Sequence, residues 1–329
     1  MAHFKLETDI RGLMCSFSAG EELRFQYKTP VPAVVTLKER LGWEKDVRRG
    51  NAICTAITIQ GIEPDIQTEI SGSIQGDIIK WKMLSPTTDK LLFNVYARLG
   101  AISRSTVTMF NWTHGRDSPP DPFGPSQPWY SEDGNNWHQY PLTRSIGLDP
   151  ASATTSIFAK NARIDEVVPK VEAGAEEPLG RQLFREAWSQ MGTNPRSALV
   201  IGAAAAEVGL KRLIGSLIPE ADWLVQEIQM PPATKIMRDF LPTLPVKAKW
   251  EDGRPITLPS KIIKQVEKAF AVRNRVVHVG ATPPGREELA RMLRAISDLL
   301  WICDVYLGEH WAMKHVSFET KKDWQPKST

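Results

Sequence analysis

The sequence predicts an α+β protein of two parts, a β-rich N-terminal half followed by an all-helical C-terminal half. From residue 3 to about 110, short segments alternate polar and apolar residues and are rich in β-branched and aromatic side chains. From residue 180 onwards, apolar residues recur with the period of amphipathic helices. We therefore expect a β-rich domain over residues 1–146, a linker over 147–180, a helical domain over 181–316 and a tail over 317–329.

Seven short segments of the N-terminal half are predicted strands. Glycine, proline, aspartate and serine separate them, and these residues favour turns. Many short strands with turn-rich connections are typical of a β-sandwich or jelly-roll, so we expect an antiparallel sandwich of this kind. The predicted strands cover residues 4–7, 23–27, 33–38, 53–59, 78–83, 91–96 and 103–110.

Residues 112–141 differ in composition, because prolines and aromatic residues dominate them. Such a run predicts an irregular segment rather than a helix or strand. Its rings either belong to a recognition loop that stacks on bases or fills a partner's pocket, or they hold a long ordered loop against the domain.

Three helices are well marked in the C-terminal half. Asn194 and Pro195 are a cap and first-turn pair that begins an alanine-rich helix. A second helix begins at Ser260, and Gly280 is expected just after its end. A third, closing helix covers residues 287–307.

The end of the second helix carries the candidate catalytic residues, Arg273, Asn274 and His278, together with Arg275. At about 100° per residue, Asn274 and His278 lie on one face, and Arg273 lies about 140° from His278. An imidazole exchanges protons at neutral pH, a guanidinium binds phosphate oxygens, and an amide can orient an attacking group. These groups suit phosphodiester cleavage without a metal. The same composition also suits a solvated helix C-terminus, where cations stabilise the helix dipole.

The motif, the alanine-rich helix and the closing helix together resemble the HEPN superfamily (higher eukaryotes and prokaryotes nucleotide-binding) over roughly residues 180–312. The resemblance implies a helical bundle that forms a homodimer and brings two motifs into one cleft. It also implies metal-independent cleavage of RNA to a cyclic phosphate and a 5′-hydroxyl. Arg273, Asn274 and His278 match the Arg, polar and His positions of the family's nuclease motif.

Two residues are assigned supporting roles. Arg275 is expected to be a looser phosphate contact. Glu207 either pairs with Lys211 at i+4 on an exposed face, or turns toward the motif helix to orient Arg273 or His278.

Charge and composition narrow the classes of function. Residues 1–150 contain 16 basic and 17 acidic residues, a net charge of −1, whereas residues 180–316 contain 19 and 14, a net charge of +5. The basic excess suits a polyanionic partner, and a solvated surface accounts for it nearly as well. No apolar run approaches the roughly 18 residues of a membrane span. Three cysteines, far apart, argue for a reducing compartment. We therefore expect a cytoplasmic protein with no membrane contact, no metal and no cofactor.

The sequence thus predicts a metal-independent endoribonuclease that acts on RNA by 2′-hydroxyl transesterification. The resemblance implies a toxin or antiviral defence effector, with a β domain that binds a regulatory protein or ligand. The alternative is a non-catalytic HEPN-like module for dimerisation or nucleotide binding, whose β-sandwich binds protein or carbohydrate.

Overall fold

The chain forms two compact units, Met1–Glu176 and Glu177–Thr329. The computed structural model describes residues 1–11, 15–16, 22–39, 52–115, 121–141, 157–158, 164–221, 223, 227, 233–247 and 257–324. The boundary between the units falls within the predicted linker, part of which is helical. No helix in the described ranges is long and apolar enough to cross a lipid bilayer.

The first unit is built on one eight-stranded sheet. The described strands of the unit, including two outside this sheet, are β1 Ala2–Ile10, β2 Cys15–Ser16, β3 Leu23–Tyr27, β4 Ala33–Glu39, β5 Ala52–Gln60, β6 Ile74–Gln75, β7 Ile78–Ile79, β8 Phe123–Ser131, β9 His138–Gln139 and β10 Ile157–Phe158. The sheet order is β3-β4-β5-β1-β8-β9-β7-β6, while β2 and β10 form a separate parallel pair. Within the large sheet, every neighbouring pair except β7–β9 is antiparallel.

Three helices accompany the sheet: α1 Pro64–Gly72, α2 Pro86–Thr113 and α3 Ile164–Glu172. Alternate residues of β1 are buried, as expected for a strand with one covered face. The long helix α2 packs against this face of the sheet. Phe25 of β3 meets Phe110 of α2 edge to face, with ring centroids 6.2 Å apart. The Tyr27 hydroxyl also hydrogen-bonds the Thr106 hydroxyl at 2.9 Å.

The expectation of a β-sandwich is not confirmed, because the described strands pack against α2 rather than against a second sheet. The strands predicted over residues 4–7, 23–27, 33–38 and 53–59 are confirmed, and only Ile78–Ile79 of the next segment is a strand. The strands predicted over residues 91–96 and 103–110 are wrong, since both segments lie within α2. Two buried hydroxyls on α2 are satisfied by the helix itself: Thr106 donates to the Ile102 carbonyl at 2.7 Å, and Thr113 donates to the Met109 carbonyl at 3.0 Å.

The irregular segment predicted over residues 112–141 is also corrected, because it contains the nine-residue strand β8. Pro128 accepts a hydrogen bond from the Tyr140 amide at 3.0 Å and so faces away from β1. Its missing N–H therefore removes no bond to β1. The Lys5 ammonium lies 5.0 Å from the Trp129 ring centroid and 4.6 Å from that of Trp137. These contacts match the alternative in which the rings hold ordered chain against the domain; residues 116–120 lie outside the described ranges.

The second unit is helical. Its longer helices are α4 Leu179–Gln190, α5 Pro195–Leu217, α6 Ser260–His278, α7 Arg286–Tyr306 and α8 Phe318–Trp324. Short helical turns cover Pro219–Ala221, Ala233–Lys235, Ile236–Phe240, Leu241–Thr243 and His310–His315. The three predicted helices are confirmed as α5, α6 and α7. The Asn194 side chain accepts a hydrogen bond from the Ser197 amide at 3.1 Å, which confirms the cap of α5.

Close packing fixes how α5, α6 and α7 lie beside one another. A Cβ atom added to Gly202 would lie 2.5 Å from Cδ2 of Leu293, and one added to Gly209 would overlap Leu300, so α5 and α7 run parallel at a short distance. The helix α6 returns antiparallel to α7, with the Lys268 ammonium 2.5 Å from the Glu288 carboxylate. The start of α5, the end of α6 and the start of α7 therefore lie at one end of the bundle, which we call the motif end.

Candidate active site

The four motif residues occupy the last turns of α6 at the motif end. Val279 is the C-cap residue of α6. Gly280 follows it with a φ of 69°, in the left-handed region, and this confirms the glycine predicted just after the helix. The amides of Val279 and Ala281 both donate to the Arg275 carbonyl, at 3.0 and 3.2 Å. This end of the helix is thus held in a defined geometry by its own backbone.

Arg273 is half-buried, and its guanidinium is oriented by its neighbour. Nη1 donates to the Asn274 Oδ1 atom at 3.0 Å. Nε is buried and has no acceptor among the described residues. In the described part of the chain, no carboxylate forms an ion pair with Arg273. A guanidinium that has one amide contact and no paired acid keeps most of its donors for an anion.

His278 is the last residue of α6 and is exposed. In the described part of the chain its ring makes no hydrogen bond, so both nitrogens are open to a ligand. Asn274, one turn earlier, is also exposed. The i and i+4 spacing places the Asn274 amide and the His278 imidazole over the same face of the helix.

Arg275 is exposed and lies near the start of α7. The pKa of the Glu288 carboxyl is lowered, first by the hydrogen bond and charge of Lys268 and to a smaller extent by Arg291 and Arg275. Glu288 is therefore already neutralised by Lys268. Arg275 makes no ion pair with a described carboxylate and remains available as a phosphate contact.

The structure does not bring Glu207 to the motif. Glu207 lies between Gly202 and Gly209 and hence beside the stretch of α7 between Leu293 and Leu300. Arg273 lies beyond Lys268 toward the motif end, past the level of Glu288. At about 1.5 Å per residue, Glu207 and Arg273 are therefore separated along the bundle axis by roughly 15 Å or more. Among the described residues Glu207 makes no ion pair with Lys211 either.

Three arginines that the sequence analysis did not single out lie on α7 at the motif end. Arg286, Arg291 and Arg294 are exposed and line a cavity of about 560 Å³ together with Met191, Glu287 and Ala290. The period of α7 alone places these arginines on its outward side. The cavity could not be predicted in the same way, because Met191 is contributed by the end of α4.

A second charged cluster lies away from the motif end and is buried. The Asp304 carboxylate is 1% exposed, lies 3.5 Å from Arg181 Nε and accepts a hydrogen bond from Arg212 Nη1 at 2.6 Å. Burial lowers the pKa of Arg181 to about 10, opposed by the charge of Asp304. The Arg181 guanidinium also lies over the Trp301 ring, 3.1 Å from its centroid. Because Asp304 and Arg181 are buried, the cluster holds α4, α5 and α7 together and is no substrate site.

The described residues contain no group of three or more histidine, cysteine, aspartate or glutamate side chains placed to hold a metal ion. Comparisons of the chain with protein-family models, curated protein sequences and solved structures found no match.

Proposed function

We propose that the protein is a metal-independent endoribonuclease whose catalytic residues are Arg273, Asn274 and His278. The observation that carries the proposal is an oriented guanidinium and an exposed imidazole at the same helix end. Among the described residues, no acid neutralises the guanidinium and no group hydrogen-bonds the imidazole. A net charge of +5 over residues 180–316 favours a polyanionic substrate. The resemblance of the motif to HEPN nucleases supports RNA as that substrate.

The reaction is an internal transesterification. The 2′-oxygen of a ribose forms a bond to the adjacent phosphorus while the bond from phosphorus to the 5′-oxygen breaks. His278 takes the proton from the 2′-hydroxyl or gives one to the leaving 5′-oxygen. Arg273 binds the non-bridging oxygens and stabilises the charge that develops on them. Asn274 orients Arg273 through its side-chain oxygen, and Arg275 holds a neighbouring phosphate.

We propose that the active form is a homodimer through the helical unit. Val277 and Val279 flank His278 and are 48% and 79% exposed. Exposed apolar side chains beside a cationic site fit an interface better than open solvent. A second copy would bring a second His278 near the same phosphate, so that one imidazole accepts a proton while the other donates one.

The test is incubation of the purified protein with labelled RNA in the presence of EDTA. We expect cleavage products with cyclic phosphate and 5′-hydroxyl ends, and no cleavage when the scissile nucleotide lacks its 2′-hydroxyl. His278→Ala should lower the rate by about 10² to 10⁴. His310→Ala is the matched control, because His310 is an exposed histidine beyond the end of α7. Equal rates for the two variants would exclude His278 as the proton carrier.

The first unit favours a regulatory or binding role. Trp81, Met83 and Phe93 are large apolar side chains that are 42%, 52% and 59% exposed. We propose that this unit binds a protein or small ligand that restrains or triggers the nuclease, as expected of a toxin or defence effector. Expression of the intact protein with its trigger should then slow cell growth, and expression of His278→Ala should not. If the purified protein binds RNA but never cuts it, the non-catalytic alternative replaces the nuclease.

A further inference from the structure

The groove on the outer side of α7, lined by Arg286, Arg291 and Arg294, has a property that the motif itself does not explain. It is an open cavity of about 560 Å³ whose polar lining comes from three arginines and Glu287. We call it the arginine groove. Three cations facing one concavity repel one another, and such an arrangement is stabilised when an anion binds among them.

Several cations of the bundle are paired with acids. Lys268 pairs with Glu288, Arg212 with Asp304 and Arg238 with Glu267. By contrast, in the part of the chain that the structure describes, none of the three groove arginines forms an ion pair or a hydrogen bond. Glu288, the acid next to the groove on α7, is thus paired with Lys268, and Glu287 is the carboxylate in the groove lining beside the three guanidinium groups.

The groove continues from the motif. The charges of both Arg291 and Arg275 lower the pKa of the Glu288 carboxyl, so both arginines lie near it. Lys268 neutralises that carboxylate at 2.5 Å, which removes the local repulsion of a passing phosphate chain. Lys268, Arg275 and Arg291 are therefore grouped around Glu288, between the end of α6 and the arginine groove.

We propose that the arginine groove binds the phosphodiester backbone of the RNA strand on one side of the scissile bond. Guanidinium groups bind phosphate oxygens bidentately, whereas no aromatic ring or amide lines the groove to read bases. The groove would therefore supply affinity without sequence preference. The inference rests on the proposed ribonuclease function, because it takes His278 as the point from which the strand leaves.

Binding is measured by fluorescence anisotropy with a labelled RNA of about 12 nucleotides, a length that single-strand-binding folds can occupy. His278→Ala is present in every protein so that the RNA stays intact. The test variant adds Arg286→Gln, Arg291→Gln and Arg294→Gln. The control adds Lys235→Gln, Lys314→Gln and Lys322→Gln, which remove the same charge from exposed positions away from the groove.

We expect the arginine variant to bind at least about tenfold more weakly than the control and to show a salt-dependence slope smaller by about 2, since each lost phosphate contact contributes about 0.7. Equal affinities and equal salt-dependence slopes for the two variants would overturn the proposal that the groove binds RNA. In a competition experiment, polyglutamate and polyuridylate are compared at equal charge as competitors of the labelled RNA. Equal displacement by the two would overturn the preference of the groove for phosphodiesters.

Cleavage assays with the native His278 separate this inference from the proposed function. In that background the arginine variant should raise KM for the RNA and keep kcat. If the parent cleaves RNA but the arginine variant and the control bind it equally well, the role of the groove is refuted and the proposed nuclease function stands. If the parent never cuts RNA but binds it through the three arginines, the proposed nuclease function is refuted and the role of the groove stands.

Discussion

Replacing Asp304 by asparagine should strongly destabilise the helical unit. The substitution keeps the shape of the side chain but removes a charge that both Arg181 and Arg212 contact. Arg181 is 5% exposed and cannot turn to water, whereas the Arg212 side chain is 32% exposed and can. Breaking a buried ion pair by removing one partner costs about 3 to 5 kcal/mol. With a urea m-value of about 2 kcal/mol/M, the unfolding midpoint falls by about 2 M.

The assay must report on the second unit alone, because the chain contains two units. Hydrogen exchange in urea, followed by mass spectrometry of peptides from α4 and α7, meets this need. Glu267→Gln is the surface control: its pair with Arg238 is largely solvated and should contribute under about 1 kcal/mol.

The double variant Asp304→Leu with Arg181→Met tests the reason for the loss. It removes both buried charges, and the methionine can pack on the Trp301 ring that now covers the guanidinium. Most of the lost stability should return, because apolar replacement of a complete buried pair is often neutral. The reasoning is refuted if Asp304→Asn lowers the unfolding midpoint no more than Glu267→Gln does.

Three further predictions concern other parts of the chain. Burial raises the pKa of Cys54 and of Cys303 to about 12 from 9.0, so at pH 8 each thiolate is about 10³ times rarer than in an ordinary thiol. Iodoacetamide should therefore label these two cysteines in denaturant but not in the native protein, and the stability that their protonated forms contribute is lost as the pH rises from 9 toward 12. Gly280→Ala should cost about 1 to 2 kcal/mol because its φ is 69°, seen as faster amide exchange in the last turn of α6. Ser85→Ala should cost about 1 kcal/mol in thermal unfolding of the first unit, because the Ser85 side chain caps the Thr88 amide at the start of α2.

Sequence patterns predicted the helices of the second unit well because strong local signals mark their ends. Asn194 with Pro195 begins α5, and Gly280 ends α6 in a conformation that other residues adopt at a cost. The α2 helix was predicted as strands because residues 91–96 and 103–110 are rich in β-branched and aromatic side chains that alternate with polar ones, among them Ser103 and Thr106. Both side chains are nevertheless buried, and only the packed structure shows that they belong to the covered face.

The candidate site was predictable only in part. Arg273 and His278 lie on α6 as the period of the sequence predicts, since both belong to one helix. The position of Glu207 depends instead on how far α5 is displaced along α7, which is set by contacts between residues distant in sequence. The arginine groove likewise requires Met191 from α4 beside α7. Stagger between helices is a tertiary property, so single-helix periodicity does not contain it.

Gly202 and Gly209 have a mechanical consequence for any regulation of the proposed nuclease. Each receives a leucine side chain of α7, and a shift of one helical turn would set Leu293 or Leu300 against Ala206 or Leu213 instead. Close-packed interiors resist such sliding. The two helices therefore resist sliding past each other, so the proposed trigger would reach Arg273 and His278 through α6 itself or through the loop after His278.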